Sequence, residues 1–62
     1  MAHLKILNPK DYAVDIIIEN VAEGLTNSLT IQPHGRPDLP EGWEVSAQSK
    51  EQFPFLKIHS IP

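Results

Sequence analysis

The stretch AVDIIIEN, residues 13–20, decides the fold of this chain because its apolar side chains recur at every second position. The apolar residues that point to one side of an extended backbone are Val14, Ile16 and Ile18. Asp15 and Glu19 occupy alternate positions on the other side, with Ile17 between them. A period of two and a majority of β-branched residues are typical of a half-buried strand. We therefore predict that this segment is the main strand.

Weaker alternation of the same kind occurs in four other segments, residues 4–7, 28–32, 42–46 and 55–61. Turn-forming residues separate them at roughly ten-residue spacing, as in small antiparallel sandwiches and barrels. The segment VAEGLTN, residues 21–27, is compatible with a helical turn, a loop or a bulge. We predict an all-β fold, a small antiparallel sandwich or barrel of four to five short strands, in a single domain spanning residues 1–62.

At most one short helical turn is expected, and it lies near residue 50. Ser49 stands three residues before Gln52, which is the spacing of a capping box at a helix N-terminus. Pro54 then prevents a longer helix, because the residue before a proline disfavours the α conformation.

The size of the chain makes its stability marginal. A domain of 62 residues buries only about 60% of the surface of its unfolded chain, and such domains usually need a disulfide, a metal or another chain. The sequence contains no cysteine, which excludes disulfides and thiolate metal sites. A histidine and carboxylate site or a partner protein remains, and the partner is the commoner solution.

Charge and hydropathy exclude several classes of function. The net charge is −3, and the five basic residues are spread along the chain rather than gathered in a stripe. Nucleic-acid binding usually requires such a basic stripe, so we do not expect a nucleic-acid partner. No apolar run approaches the ~20 residues of a membrane span, and no apolar leader follows Met1. We expect a soluble protein that binds no membrane.

The sequence shows no catalytic, metal or cofactor motif. The three histidines are His3, His34 and His59, and no two have the spacing of a local metal site. We interpret them as surface residues, although His3 and His59 lie on terminal strands that could pair. Asp15 and Glu19 would lie roughly 13 Å apart along a strand, which is too far for a carboxylate pair acting on one bond. We predict that the protein is not an enzyme and holds no cofactor.

The loop PHGRPDLPEGWEV, residues 33–45, contains three prolines and the only tryptophan. We predict one turn with Gly35 at positive φ, and a second turn over residues 39–42 with Pro40 at its second position. One interpretation is a stiffened crossover that delivers Trp43 to the core. The other is a preorganised contact surface, because tryptophan and arginine are favoured interface anchors and a rigid loop loses less entropy on binding.

Seven residues are candidates for a protein interface. Ile17 is an apolar residue on the charged side of the main strand, and Tyr12 precedes that strand. The others lie in the loop or on the outward side of the last strand, and they are Arg36, Asp38, Trp43, Phe55 and Ile61. The short terminal strands are candidate edges for pairing with a strand of another protein.

Residues 29–58, LTIQPHGRPDLPEGWEVSAQSKEQFPFLKI, resemble a pattern found in small virion-associated accessory proteins of tailed bacteriophages. The matching features are a Gly turn at Gly35, the turn LPEG at residues 39–42, the strand WEV at residues 43–45, a helical turn begun by Ser49 and a final strand at residues 55–58. The resemblance implies a protein that decorates or cements a capsid and is located in the virion after assembly in the host cytoplasm. It assigns no functional residue.

We therefore expect a non-enzymatic structural subunit that docks on a larger protein assembly, most naturally a phage capsid, and that could itself form a homo-oligomer. The alternative is a small cytoplasmic inhibitor or regulator of one protein partner. Acidic residues clustered on one surface would favour this alternative, because such a surface would suit a partner with a basic groove. A small nucleic-acid-binding barrel is a third hypothesis, which predicts binding that falls steeply with salt.

Overall fold

A computed structural model describes residues 2–62 and shows five strands and one short helix. In chain order, the elements are β1 (His3–Leu7), β2 (Val14–Asn20), β3 (Leu25–Ile31), β4 (Glu44–Val45), α1 (Ala47–Gln52) and β5 (Lys57–Ile61). All pairings are antiparallel. The predicted all-β fold is confirmed.

The strands form two sheets around one core. β2 is the central strand of a three-stranded sheet of order β3-β2-β4, and β1 pairs with β5 in the second sheet. Ile6 from β1 and Ile16 from β2 are both essentially inaccessible to solvent. Within residues 2–62, the buried apolar residues are Ile6, Val14, Ile16, Ile18, Ile31, Leu39 and Val45. The alternation in residues 13–20 thus identified the strand and its buried side.

The Pro-rich loop runs beside β1, on the edge that β5 leaves open. The backbone N–H of Ile6 donates to the carbonyl of Pro37 at 3.0 Å, and that of Leu39 donates to the carbonyl of Leu4 at 2.8 Å. Lys5 and Asp38 form an isolated antiparallel bridge between these bonds. β1 is therefore not a free edge, contrary to our expectation for the terminal strands. The loop is a crossover, and its extended part lies beside β1 on the side opposite β5.

Asn8 joins three segments of the backbone at the end of β1. Its side chain is fully buried, and its amide nitrogen lies 2.8 Å from the carbonyl of Tyr12, 3.3 Å from that of Ile31 and 3.2 Å from that of Gln32. The amide oxygen accepts from the N–H of Lys10 at 3.0 Å. A buried amide with such complete pairing fixes the relative positions of the segments that it contacts.

Three strands begin two or more residues away from their predicted starts, and the remaining strand ends differ by at most one residue. β3 begins at Leu25, because residues 21–24 form a hairpin turn in which Gly24 has φ 67°. β4 contains only two residues, since a turn precedes it and the helix cap Ser46 follows it. β5 begins at Lys57, after a turn that contains Phe55. The ambiguous segment 21–27 is thus a turn followed by strand.

The two predicted turns of the loop are displaced by one residue. His34, and not Gly35, takes a positive φ of 57°, because the N–H of Gly35 closes a turn on the carbonyl of Gln32 at 2.8 Å. Glycine is needed at position 35 for space, since a Cβ there would lie 2.9 Å from the oxygen of Gln32. The second turn spans residues 40–43, with Gly42 at φ 87°.

Helix α1 begins three residues earlier than the capping-box spacing indicated. Ser46 is its N-cap, and its hydroxyl accepts from the N–H of Ser49 at 3.2 Å. The helix ends at Gln52, two residues before Pro54, as expected from the restriction on residues that precede proline. Neither its length nor its composition would let α1 cross a membrane, and it is the one helix in residues 2–62.

Candidate protein-interaction surfaces

The outer side of the three-stranded sheet is acidic. Asp15 and Glu19 point outward from β2, and Glu44 is the direct cross-strand neighbour of Glu19. We call Asp15, Glu19, Glu44 and the intervening Ile17 the acidic face. Within residues 2–62, the ion pairs all involve Asp38, so none neutralises these three carboxylates.

The pairing of Glu19 with Glu44 is unfavourable for folding. Like charges at directly opposite positions of a sheet destabilise it, and opposite charges there would contribute roughly 0.2–1 kcal/mol. Two turns at the same end of the sheet add Glu23 and Glu41. Asn20 links these turns, because its side-chain oxygen accepts from the N–H of Glu23 at 3.2 Å and its amide lies against Gly42. Five of the eight acidic residues therefore belong to this sheet or to the turns at one of its ends.

Ile17 stands at the centre of the acidic face with 44% of its surface exposed. Its backbone is fixed on the β4 side, where its N–H donates to the hydroxyl of Ser49 at 2.8 Å and its carbonyl accepts from the N–H of Ser46 at 2.9 Å. Within residues 2–62, no side chain covers the rest of Ile17.

The outer side of the β1-β5 sheet carries the opposite charge. Register places Lys5 opposite His59 and Leu7 opposite Lys57, with His3 at the end of the same side. Arg36 follows along the neighbouring loop, where its carbonyl accepts from the Lys5 ammonium at 3.3 Å. We call His3, Lys5, Arg36, Lys57 and His59 the basic face. In sequence these residues are spread apart, and they are brought together by the pairing of β1 with β5 and by the contact of the loop with β1.

Asp38 is the acidic residue on this side. Its carboxylate lies 3.1 Å from the ammonium of Lys5 and 3.3 Å from Nε2 of His3. The hydrogen bond from Lys5 is the main cause that lowers the pKa of Asp38, and His3 lowers it further. Asp38 therefore ties the loop to β1 through charge as well as through the backbone.

Tyr12 and Phe55 meet in an aromatic cluster. Their rings are edge to face, with centroids 6.4 Å apart, and Phe53 makes a similar contact with Phe55 at 5.9 Å. The ammonium of Lys10 lies 5.0 Å from the centre of the Phe55 ring. Tyr12 remains 52% exposed, so this cluster is closed on one side only.

Trp43 is half-buried and has two environments. It packs against the core, and it also lines a cleft of about 280 Å³ with Leu4, Glu44 and Ser60. His3, which contacts Asp38, lies at the rim of the same cleft. The core and contact-surface interpretations of Trp43 are therefore compatible.

The seven predicted interface residues do not form one surface. Ile17 lies on the acidic face, Tyr12 and Phe55 lie in the aromatic cluster, and Trp43 lines the cleft. Arg36, Asp38 and the half-buried Ile61 belong to the outer side of the β1-β5 sheet. Sequence reasoning missed Glu44 as a neighbour of Glu19, because nothing in the residue pattern reveals which strand lies beside β2.

The metal hypothesis finds no geometric support among residues 2–62, where no three histidine or carboxylate side chains converge around a common point. β1 and β5 do pair, which places His3 and His59 on the same side of one sheet. His3 instead contacts the carboxylate of Asp38. Comparison with protein-family models, curated protein sequences and solved structures found no match to this chain.

Proposed function

We propose that the protein is a non-enzymatic interaction subunit that binds a basic protein surface through its acidic face. The observation that carries this proposal is the direct opposition of Glu19 and Glu44 beside an exposed Ile17. The like-charge pair weakens the fold of a domain that is already small. Binding to a cationic partner would turn this unfavourable arrangement into a favourable one.

The chemistry of the partner follows from the arrangement of the face. Lysine or arginine side chains would approach Asp15, Glu19 and Glu44, while an apolar group would cover Ile17. The backbone of Ile17 is held by hydrogen bonds with Ser49 and Ser46, so little backbone entropy is lost when Ile17 becomes an interface residue. Complementary charge would raise the association rate and select the partner.

The setting that we propose first is a larger protein assembly, in particular a phage capsid or other virion protein. The support is the small size, the absence of cysteine and the sequence resemblance of residues 29–58 to virion accessory proteins. Docking would supply the burial that a chain of this length lacks on its own. In this setting the protein would be located in the virion and would stabilise or decorate it.

A second candidate is an inhibitor or regulator of one soluble protein, located in the cytoplasm. The clustering of acidic residues favours it, because Glu23 and Glu41 extend the acidic face at one end of the sheet. Such a surface suits a groove lined by lysine and arginine. Both settings share the same binding surface, so one set of variants tests that surface and the identity of the partner separates the settings.

The test is a quantitative pull-down with the immobilised protein against a lysate of the source cells and against purified virions. The first variant is Glu19→Lys with Glu44→Lys, which reverses the charge of the acidic face. The matched control is Arg36→Glu with Lys57→Glu, which makes the same number of charge reversals on the basic face. Circular dichroism establishes that each variant is folded before binding is compared.

We expect one protein, identified by mass spectrometry, to bind the wild type and the basic-face control. This protein should not bind the acidic-face variant. Salt should elute it from the wild type, since exposed charges are screened at high ionic strength. A capsid protein would support the first setting, and a soluble protein would support the second. Loss of binding only in the basic-face control, or no discrete partner in either sample, would contradict the proposed surface.

A further inference from the structure

β3 is an edge strand whose outer side is unpaired in residues 2–62. Its partner is β2 alone, in the sheet order β3-β2-β4. Residues 25–28 and residue 30 are exposed, and only Ile31 at the end of the strand is buried. An exposed strand of seven residues is long enough to pair with another strand.

The backbone groups that face this open side can be assigned from β2. Ile17 directs its N–H and carbonyl toward the β4 side, where they bond to Ser49 and Ser46. In an antiparallel pair, hydrogen-bonded and non-hydrogen-bonded positions alternate, so Ser28 opposite Ile17 directs its own groups away from β2. The same alternation applies to Thr26 and Thr30, which therefore also face the open edge.

This arrangement is symmetric, and we propose that β3 pairs with β3 of a second copy to form a homodimer. Ser28 lies midway between Thr26 and Thr30, so an antiparallel copy related by a twofold axis at Ser28 meets the same three residues in reverse order. Ser28 then pairs with Ser28, and Thr26 pairs with Thr30. The result is one continuous six-stranded sheet with a complete ladder across the dimer axis.

The side chains are suited to this register. The strand LTNSLTI contains no charged residue and no proline, so two of the devices that commonly prevent edge pairing are missing from it. Threonine faces threonine and serine faces serine on the outer side, while Leu25 faces Ile31 on the inner side. β5 is another edge strand and carries Lys57, whose charge would oppose self-pairing.

The exposed apolar surface at the start of β3 also supports pairing with a second copy. Leu25 is 49% exposed although it lies on the inner side of its sheet. A second copy would place Ile31 directly across from Leu25 and would cover part of this surface. Asn27 is the one group that competes, because its side-chain oxygen accepts from the N–H of Ser28 at 2.9 Å and must release it on pairing.

The proposal is independent of the proposed function, since it uses the edge of the sheet rather than its acidic face. The experiment is sedimentation equilibrium of the full chain over a concentration series up to millimolar. The decisive variants are Ser28→Lys and Ser28→Glu, which place two like charges on the twofold axis. Gln48→Lys, on the exposed surface of α1, adds the same charge far from the edge and is the matched control.

We expect the wild type and Gln48→Lys to approach twice the chain mass of 6.9 kDa as concentration rises. Each Ser28 variant alone should remain a monomer, with its fold verified by circular dichroism. An equimolar mixture of Ser28→Lys and Ser28→Glu should recover the dimer mass, because opposite charges then meet at the axis. A wild type that is monomeric throughout, Ser28 variants that dimerise like the wild type, or a mixture that stays monomeric would overturn the proposal.

Discussion

The hydroxyl of Ser49 accepts a hydrogen bond from the backbone N–H of Ile17 at 2.8 Å, across thirty-two positions of sequence. This contact lies where β4 has ended after two residues and helix α1 has begun. A serine of the first helical turn thus takes the place of a further strand residue along the edge of β2. The short helix is attached to the sheet by this bond and by the N–H of Ser46, which donates to the carbonyl of Ile17.

We predict that Ser49→Ala lowers the free energy of unfolding by about 1–3 kcal/mol, because it leaves the partly buried N–H of Ile17 without an acceptor. Urea denaturation measures the change. Ser28→Ala removes a hydroxyl from an exposed position and should change stability far less. Equal stability of the two variants would show that the Ile17 N–H is solvated when Ser49 is absent.

Replacement of Asn8 by alanine should cost more, about 2–4 kcal/mol, since the two N–H bonds of its buried amide are shared among three carbonyls and its oxygen accepts from one N–H. Asn27→Ala is the matched control on the exposed part of β3. Thermal unfolding of both variants followed by circular dichroism provides the comparison. If Asn8→Ala and Asn27→Ala have the same melting temperature, the Asn8 amide does not hold the three backbone segments together.

Adjacent substitutions in β2 test the register of the main strand. Ile16→Asp places an unpaired charge in the core and should prevent folding, whereas Ile17→Asp places the same charge on the exposed face. We expect the second variant to retain the circular dichroism spectrum of the wild type with a modest loss of stability. A folded Ile16→Asp protein would mean that the two faces of β2 are exchanged.

Glu44→Lys should make the isolated protein more stable, by about 0.5–1 kcal/mol, because it replaces a repulsive cross-strand pair with an attractive one. The same variant should lose affinity for the proposed basic partner. Glu51→Lys, on the exposed surface of the helix, makes the same change of charge without an opposed glutamate. Stabilisation by Glu51→Lys equal to that by Glu44→Lys would assign the effect to net charge alone.

The stability should also fall at acidic pH through Asp38. Lys5, and to a lesser extent His3, hold the pKa of this carboxylate below its ordinary value of 3.8, so the folded state binds the proton less readily than the unfolded state. The resulting contribution is present above that value and is lost as the pH falls through the lower pKa of the folded state. Asp38→Asn should therefore melt below the wild type at pH 7, and the two melting temperatures should converge as the pH falls well below 3.8.

Asp11→Asn is the control for that comparison, because Asp11 is exposed and forms no ion pair within residues 2–62. It removes one negative charge but leaves the contact of the loop with β1 intact. If the difference in melting temperature between the wild type and Asp38→Asn does not become smaller at acidic pH, the role assigned to the ion pair is contradicted.

Much of the fold could be predicted from sequence, because the alternation of residues 14–18 reports burial directly. Alternation of this kind predicted that β1, β2 and β5 exist and that Ile16 points inward. The length of β3 was underestimated, since Thr26 and Asn27 are both exposed although they point to opposite sides of the strand, so the sequence shows no alternation there. Such residues become strand only through pairing with β2, which is a tertiary effect.

The candidate surfaces were harder to predict for the same reason. Exposure of Ile17 among charged residues could be read from the chain, but the opposition of Glu19 to Glu44 depends on a neighbour twenty-five positions away. The basic face likewise requires the register of β1 with β5. Local patterns report which side of a strand is buried, whereas the composition of an open surface depends on which strands become neighbours.

The pairing of β1 with β5 also has a consequence for the rate at which the domain folds. His3 lies opposite Ile61, so the second sheet requires the two most distant parts of the described chain to meet. The entropy of closing so long a loop must be lost before those contacts stabilise the fold. Small β-domains dominated by such distant pairings fold in roughly milliseconds to seconds, far more slowly than helical bundles of similar size. The β2-β3 hairpin is the segment that can form early, and its uncharged edge is exposed to other chains until the terminal strands have met.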